Sequence, residues 1–204
     1  MARLGPQPAT QADREGRRPQ RADARRNRER ILGAAEAVLA AHGVGASTEE
    51  IARLAGVGAG TLFRHFPTKE ALIAAVVAVR VRRLADEADA LLAASDPGAA
   101  FFVFFARAVE QAATKRVVAD ALGSAPVDVD AVEPGLSTRL RGGIAALLAR
   151  AQGAGAVRDD ARLPAVLALL AGAIAAAERA GDDDTVRARV LAIILDGLRP
   201  AGRR

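Results

Sequence analysis

Apolar residues recur every three to four positions through most of this chain, and alternating runs such as Val127-Asp128-Val129-Asp130 are too short to mark a strand. The pattern therefore predicts helices. Ile31, Ala35, Val38 and Leu39 form a stripe that ends at His42-Gly43, where Gly43 suits the residue just past a helix. Ile51, Leu54 and Ala55 mark a second helix, with Ser47 as its cap and Glu50 placed as a capping-box partner. Gly56-Val57-Gly58 reads as a tight turn in which Gly56 tolerates a left-handed backbone. A short helix over 59–65 turns Leu62 inward, and Phe66-Pro67 closes it. Thr68 can cap a long helix running to about residue 93 or 94. Together, two short helices around a glycine turn have the layout of a helix-turn-helix, a reader of the DNA major groove.

Beyond Ser95-Asp96-Pro97-Gly98 the apolar positions broaden. A helix over 98–113 carries five consecutive apolar residues, Phe101 to Phe105, which cannot all face one core. A short helix is expected over 114–122, a turn-rich linker over 123–135 and a helix over 136–152 with Leu140, Ile144, Leu147 and Leu148 on one face. The chain closes on a helical hairpin, 164–180 and 183–198, joined at Gly181-Asp182, with Asp183 as cap. Both arms are apolar on more than one side, so the hairpin is expected to meet a second copy in a four-helix bundle and make a homodimer.

Composition supports an all-α chain: 204 residues, 51% hydrophobic, the apolar mass mainly Ala, Leu and Val, six Phe and no Trp or Tyr. Charge changes the picture at one end. The formal net charge is +5, and residues 1–30 alone hold nine Arg against four acids. Residues 1–24, nearly free of large apolar side chains, read as a disordered basic arm placed just before the helix-turn-helix. Absence of Cys excludes disulfides and thiol catalysis and removes the usual zinc ligands. No metal or cofactor is expected, and no dinucleotide or P-loop fingerprint is present. The Gly-rich run 56–60 lacks the preceding strand of a phosphate loop, so an enzyme is not expected. The start of the chain has no secretory apolar core, and the longest apolar stretch, 164–177, falls short of a membrane span, so a cytoplasmic protein without membrane contact is expected.

From Arg30 to Val76 the sequence resembles the TetR family of bacterial transcriptional regulators. Ile31, Ala35, Gly43, Thr48, Ile51-Ala52, Ala55-Gly56-Val57, Gly60-Thr61-Leu62-Phe63, His65-Phe66 and Lys69-Glu70-Leu72 carry the likeness. Residues 147–160 and the apolar helix after them resemble an SbtR-like subgroup. The resemblance implies an N-terminal three-helix helix-turn-helix head over 25–70 and a helical body over 71–200 for ligand binding and dimerisation. It implies a ligand-responsive regulator, by family default a repressor, bound as a dimer to a palindromic double-stranded operator. Gly58 and Phe63 depart from it, standing where Ser and Tyr are common.

Within that frame Thr48, His65 and Lys69 are expected to anchor phosphates, while Ala59, Gly60, Thr61, Phe63 and Arg64 face the groove, Arg64 being the long donor among them. Arg17, Arg18, Arg21, Arg25, Arg26 and Arg28 would add phosphate or minor-groove contacts from the arm. A largely apolar small-molecule effector is expected in the body, lined by Phe101, Phe102, Phe104, Phe105, Val109 and Leu148. Two rivals remain at this stage: a non-specific architectural DNA-binding protein, and a helical protein-interaction module without DNA binding.

Overall fold

The computed structural model describes residues 11–113, 128–181 and 183–200. Among them lie eight α-helices and no strand: α1 Gln11–His42, α2 Thr48–Leu54, α3 Ala59–His65, α4 Lys69–Leu91, α5 Pro97–Ala113, α6 Leu136–Gly153, α7 Leu163–Ala180 and α8 Asp184–Leu198. The helix expected over 114–122 and the first part of the linker lie outside the described residues. The ends of α3, α6 and the terminal hairpin fall within a residue of the sequence expectation. The largest departure is at the start. α1 begins at Gln11, so residues 11–24 are helical and not a disordered arm. Once the packed half of a helix is nucleated, each added residue gains a backbone bond, and Arg, Gln, Ala and Glu extend it readily.

The first three helices and the start of α4 enclose one small core. Ile31, Ala35, Val38 and Leu39 of α1 meet Ile51 and Ala52 of α2, Leu62 and Phe66 around α3, and Leu72, Ala75 and Val76 of α4. The head therefore extends to Val76, beyond the expected boundary at residue 70, because the first turns of α4 supply part of its core. Caps fix the short helices. Ser47 Oγ accepts from the Glu49 N–H at 3.2 Å, and Thr68 Oγ1 accepts from the Ala71 N–H at 3.1 Å. The reciprocal half of the expected capping box is replaced: the Glu50 carboxylate lies 3.8 Å from His42 Nε2. Gly56, at φ +62°, ends α2 with paired bonds from its own N–H to Arg53 O and from the Val57 N–H to Ala52 O, a Schellman closure.

The body core is built from α4 to α8. Phe101, Phe104 and Phe105 of α5 pack with Ile144, Leu147 and Leu148 of α6 and Val166, Ala173 and Ala177 of α7. α4 and α6 approach closely where a Cβ on Gly143 would stand 2.9 Å from that of Ala88. Beside this contact Arg139 of α6 binds Asp86 and Asp89 of α4, each at 2.6 Å. The end of α8 is tied down by the Arg158 N–H on Leu198 O at 3.0 Å and by the Arg199 guanidinium 4.5 Å over the Phe102 ring.

Between the two cores a charged cluster crosses the junction. Glu36 of α1 accepts from Arg80 Nε at 3.4 Å and from Arg83 Nη1 at 3.3 Å, both on α4. Arg80 is buried, and its Nη1 and Nη2 have no hydrogen-bond partner among the described residues. Burial pulls its pKa below the ordinary arginine value, and the Glu36 charge opposes that shift.

α7 corrects one expectation from sequence. At 18 residues it is, by length and composition, long and apolar enough to cross a membrane, with 17% of that window buried inside the chain. The apolar stretch read from the sequence ended at Ala177, and the helix, as expected, runs on through Glu178 and Arg179 to Ala180, starting one residue earlier at Leu163. Its exposed apolar side continues onto α8: Leu169, Val186 and Ile193 are 39%, 45% and 59% exposed.

Candidate nucleic-acid interface

α3 is amphipathic in a way its seven residues make plain. Leu62 is turned into the head core, and Phe66, the residue that caps the helix end, is buried beside it. The other side is open. Ala59, Gly60, Phe63 and Arg64 are exposed, and Thr61 and His65 are half-buried at its edges. A Cβ on Gly60 would meet nothing within 4 Å inside the chain. Its lack of a side chain therefore serves no internal packing and leaves the backbone free for close approach from outside. Phe63, 43% exposed, presents an apolar ring where a hydroxyl would otherwise be available to a phosphate. Gly58 is the N-cap residue and provides no side-chain bond to the helix.

The expected phosphate anchors lie around this surface. Thr48 is the first residue of α2, half-buried, and Lys69 is the first residue of α4. Both helix starts carry the positive end of the dipole. Glu70 sits in the first turn of α4. Its own backbone N–H, then the Thr68 hydroxyl, hold its carboxyl below the ordinary glutamate range. The His65 ring lies 6.4 Å from that of Phe66, centroid to centroid.

The arm residues divide. Arg25 and Arg26 are exposed on α1, Arg25 3.7 Å from Glu29 and Arg26 paired with Asp23. Such exposed pairs cost little to open. Arg28 instead lies over the Phe66 ring, turned into the head. Arg17, Arg18 and Arg21 fall on the first half of α1, and their side chains lie outside the described residues.

Of the six side chains expected to line an effector cavity, five are packed in the body core. Phe101, Phe104, Phe105, Val109 and Leu148 are each at most 5% exposed, and Phe102 is half-buried under Arg199. The Phe101 and Phe102 rings meet edge to face at 5.5 Å, and Phe101 and Phe105 lie 6.4 Å apart. Sequence reasoning missed the Glu36–Arg80–Arg83 cluster and the inward turn of Arg28. The first had a visible signal, since Arg80 stands within the apolar stripe of α4, four residues after Val76. The second had none, because one arginine in an arginine-rich segment looks like the next.

A short, outward-facing helix held by a glycine turn on a small helical head, with a larger helical body behind it, defines the class of helix-turn-helix transcription regulators. Comparison with known proteins gives the family. Residues 31–76 match the model of bacterial regulatory proteins of the tetR family, and residues 96–200 match the C-terminal domain of SbtR-like transcriptional regulators. A TetR transcription regulatory protein from Mycobacterium vanbaalenii is 45% identical, with 89% of this chain and 99% of that one covered and a TM-score of 0.66. A TetR transcriptional regulator from Streptomyces coelicolor is 38% identical over 86% of this chain and 99% of its own, TM-score 0.65. RolR in complex with resorcinol, at 22% identity, 87% and 89% coverage and TM-score 0.58, shares the fold. The chain belongs to the TetR family, in the group with an SbtR-like C-terminal domain, and is a transcription regulator and not an enzyme.

Proposed function

We propose that this regulator binds a palindromic operator as a homodimer and releases it when a largely apolar small molecule enters the body, acting as a cytoplasmic repressor. The observation that carries the DNA half is α3, with Leu62 and Phe66 buried and Ala59, Gly60, Phe63 and Arg64 exposed together. Arg64 reads a guanine edge, Thr61 contacts a thymine methyl or a phosphate, and Thr48, His65 and Lys69 hold the backbone. The exposed side of α7 and α8 supports the dimer. Three of the six large exposed hydrophobic residues among the described ones, Leu169, Val186 and Ile193, lie there. Four helices from two copies would cover them, which accounts for the apolarity of α7 without a membrane.

The effector site is proposed at the phenylalanine cluster between α5, α6 and α7. Aromatic rings that pack on one another can rotate to admit an apolar body, and an effector acts only through unequal affinity for the two states of the regulator. RolR, which shares the fold, is named with resorcinol, a small aromatic ligand. A flat apolar compound of that class is a reasonable first probe here.

Selection of bound duplexes from a random pool tests the reading. An enriched inverted repeat is expected, and an enriched half-site without symmetry, or no enrichment, would overturn it. Ile193→Glu should convert the sedimenting dimer to a monomer and abolish binding to the full repeat.

A further inference from the structure

Two arginines at the rim of the head core, Arg28 half-buried and Arg30 exposed, make contacts with the segment around α3. Arg28 sets its guanidinium carbon 4.5 Å above the ring of Phe66, which is buried and closes α3. Arg30 donates through Nη2 to the Gly56 carbonyl at 3.2 Å and through Nη1 to Asn27 Oδ1 at 3.5 Å. At about 100° per residue the two positions fall on opposite flanks of the stripe that buries Ile31, Ala34 and Ala35. α1 thus reaches around its own core face on both sides. One arm holds the turn that leads into α3, and the other holds the residue that ends it.

α3 lacks support of its own. A helix of seven residues is too short to persist alone, Gly58 offers no side-chain cap, and Leu62 is its one buried residue. The turn is tight against the first brace: a Cβ on Gly56 would stand 2.5 Å from Arg30 Nη2. The glycine therefore serves both the positive φ and the seat of the guanidinium.

We infer that Arg28 and Arg30 are positioning residues that fix the recognition helix against α1, and not phosphate contacts. The inference rests on α3 being the DNA-reading element. A guanidinium lying over a buried ring, or bonded to a turn carbonyl, is held at that contact, which limits its reach towards the duplex. Removing either should loosen α3 and weaken binding at every salt concentration, without changing how many phosphates are neutralised.

The test uses the full-length protein with Arg28→Met and Arg30→Met, which keep most of the apolar stem and remove the charge. Hydrogen exchange at the amides of Leu62 to Phe66 should be about two- to fivefold faster in Arg28→Met, and Arg28→Lys should recover part of that protection. Arg30→Met should speed exchange at Gly56 and Val57. On a duplex selected by the wild-type chain, both Met variants should bind more weakly with an unchanged slope of log affinity against log salt. A slope shallower by about 0.9 per head, about 1.8 for the dimer, marks a lost phosphate contact and overturns the proposal for that residue, as does unchanged exchange. If the wild type selects no duplex, the DNA reading fails alone, and the exchange measurements still decide whether the arginines brace α3.

Discussion

The head and the body bury their apolar residues by different means. Six of the fourteen buried residues of the head core are alanine, and its one aromatic is Phe66. Alanine takes a similar share of the body core, seven of seventeen, so the head differs in having a single aromatic, and its short helices are held by directed contacts: the Ser47 and Thr68 caps, the Gly56 closure and Arg30 on the turn. The body fills its core with three phenylalanines against leucine and isoleucine, and leaves a further apolar side uncovered on α7 and α8. The contrast shows a division of labour. The body core is filled by packed aromatics, while the head core is small and keeps the outer side of α3, Ala59, Gly60, Phe63 and Arg64, open.

That contrast can be broken by substitution. Phe101→Ala should cost about 3–5 kcal/mol in urea unfolding followed by circular dichroism. Val38→Ala in the head core should cost about 1–3 kcal/mol. Equal losses would void the distinction. Gly56→Ala comes next. A left-handed alanine costs about 1–2 kcal/mol, and its Cβ must displace Arg30, so operator affinity should fall further than stability does. Thr68→Ala should remove about 1 kcal/mol by freeing the Ala71 N–H, read as a shift in the urea midpoint.

The smallest effect concerns acid. Asp130 Oδ1 accepts from the Ser137 N–H at 3.0 Å at the start of α6, and that bond, outweighing desolvation, which acts the other way, holds its carboxyl below the ordinary aspartate range. A lowered folded pKa gives stability that is present above the unfolded value, about 3.9, and lost as pH falls through the folded one. The urea midpoint should therefore decline below about pH 4, and less steeply in Asp130→Asn.

Much of the fold was legible because glycine, proline and capping residues punctuate it. The limits of α3 follow from Gly58 and Phe66-Pro67, and the start of α8 from Asp183, whose carboxylate accepts from the Val186 N–H. The two sides of α3 were legible too, since spacing turned Leu62 inward and left Arg64 outside, where the structure has them. What escaped was what periodicity does not encode. The first half of α1 has no apolar stripe to announce a helix. The run from Phe101 to Phe105 is apolar at every angle, so spacing could not say that Val103 would be the exposed member and Phe102 the half-buried one. The partner of Glu36 lies 44 residues away, on a helix whose packing against α1 no local pattern fixes.

The close approach of Gly143 to Ala88 has a mechanical consequence. With the Arg139 bonds beside it, α4 is held closely against α6 at this crossing, and its opposite end carries Lys69. From Ala88 to Lys69 the helix spans about 28 Å at 1.5 Å per residue, so a tilt of about 5° at the crossing would sweep Lys69 through about 2.5 Å. A rigid α4 would act as a lever whose short arm lies against the phenylalanine core, and a repacking of rings too small to alter the body's outline would be magnified by the time it reached Lys69.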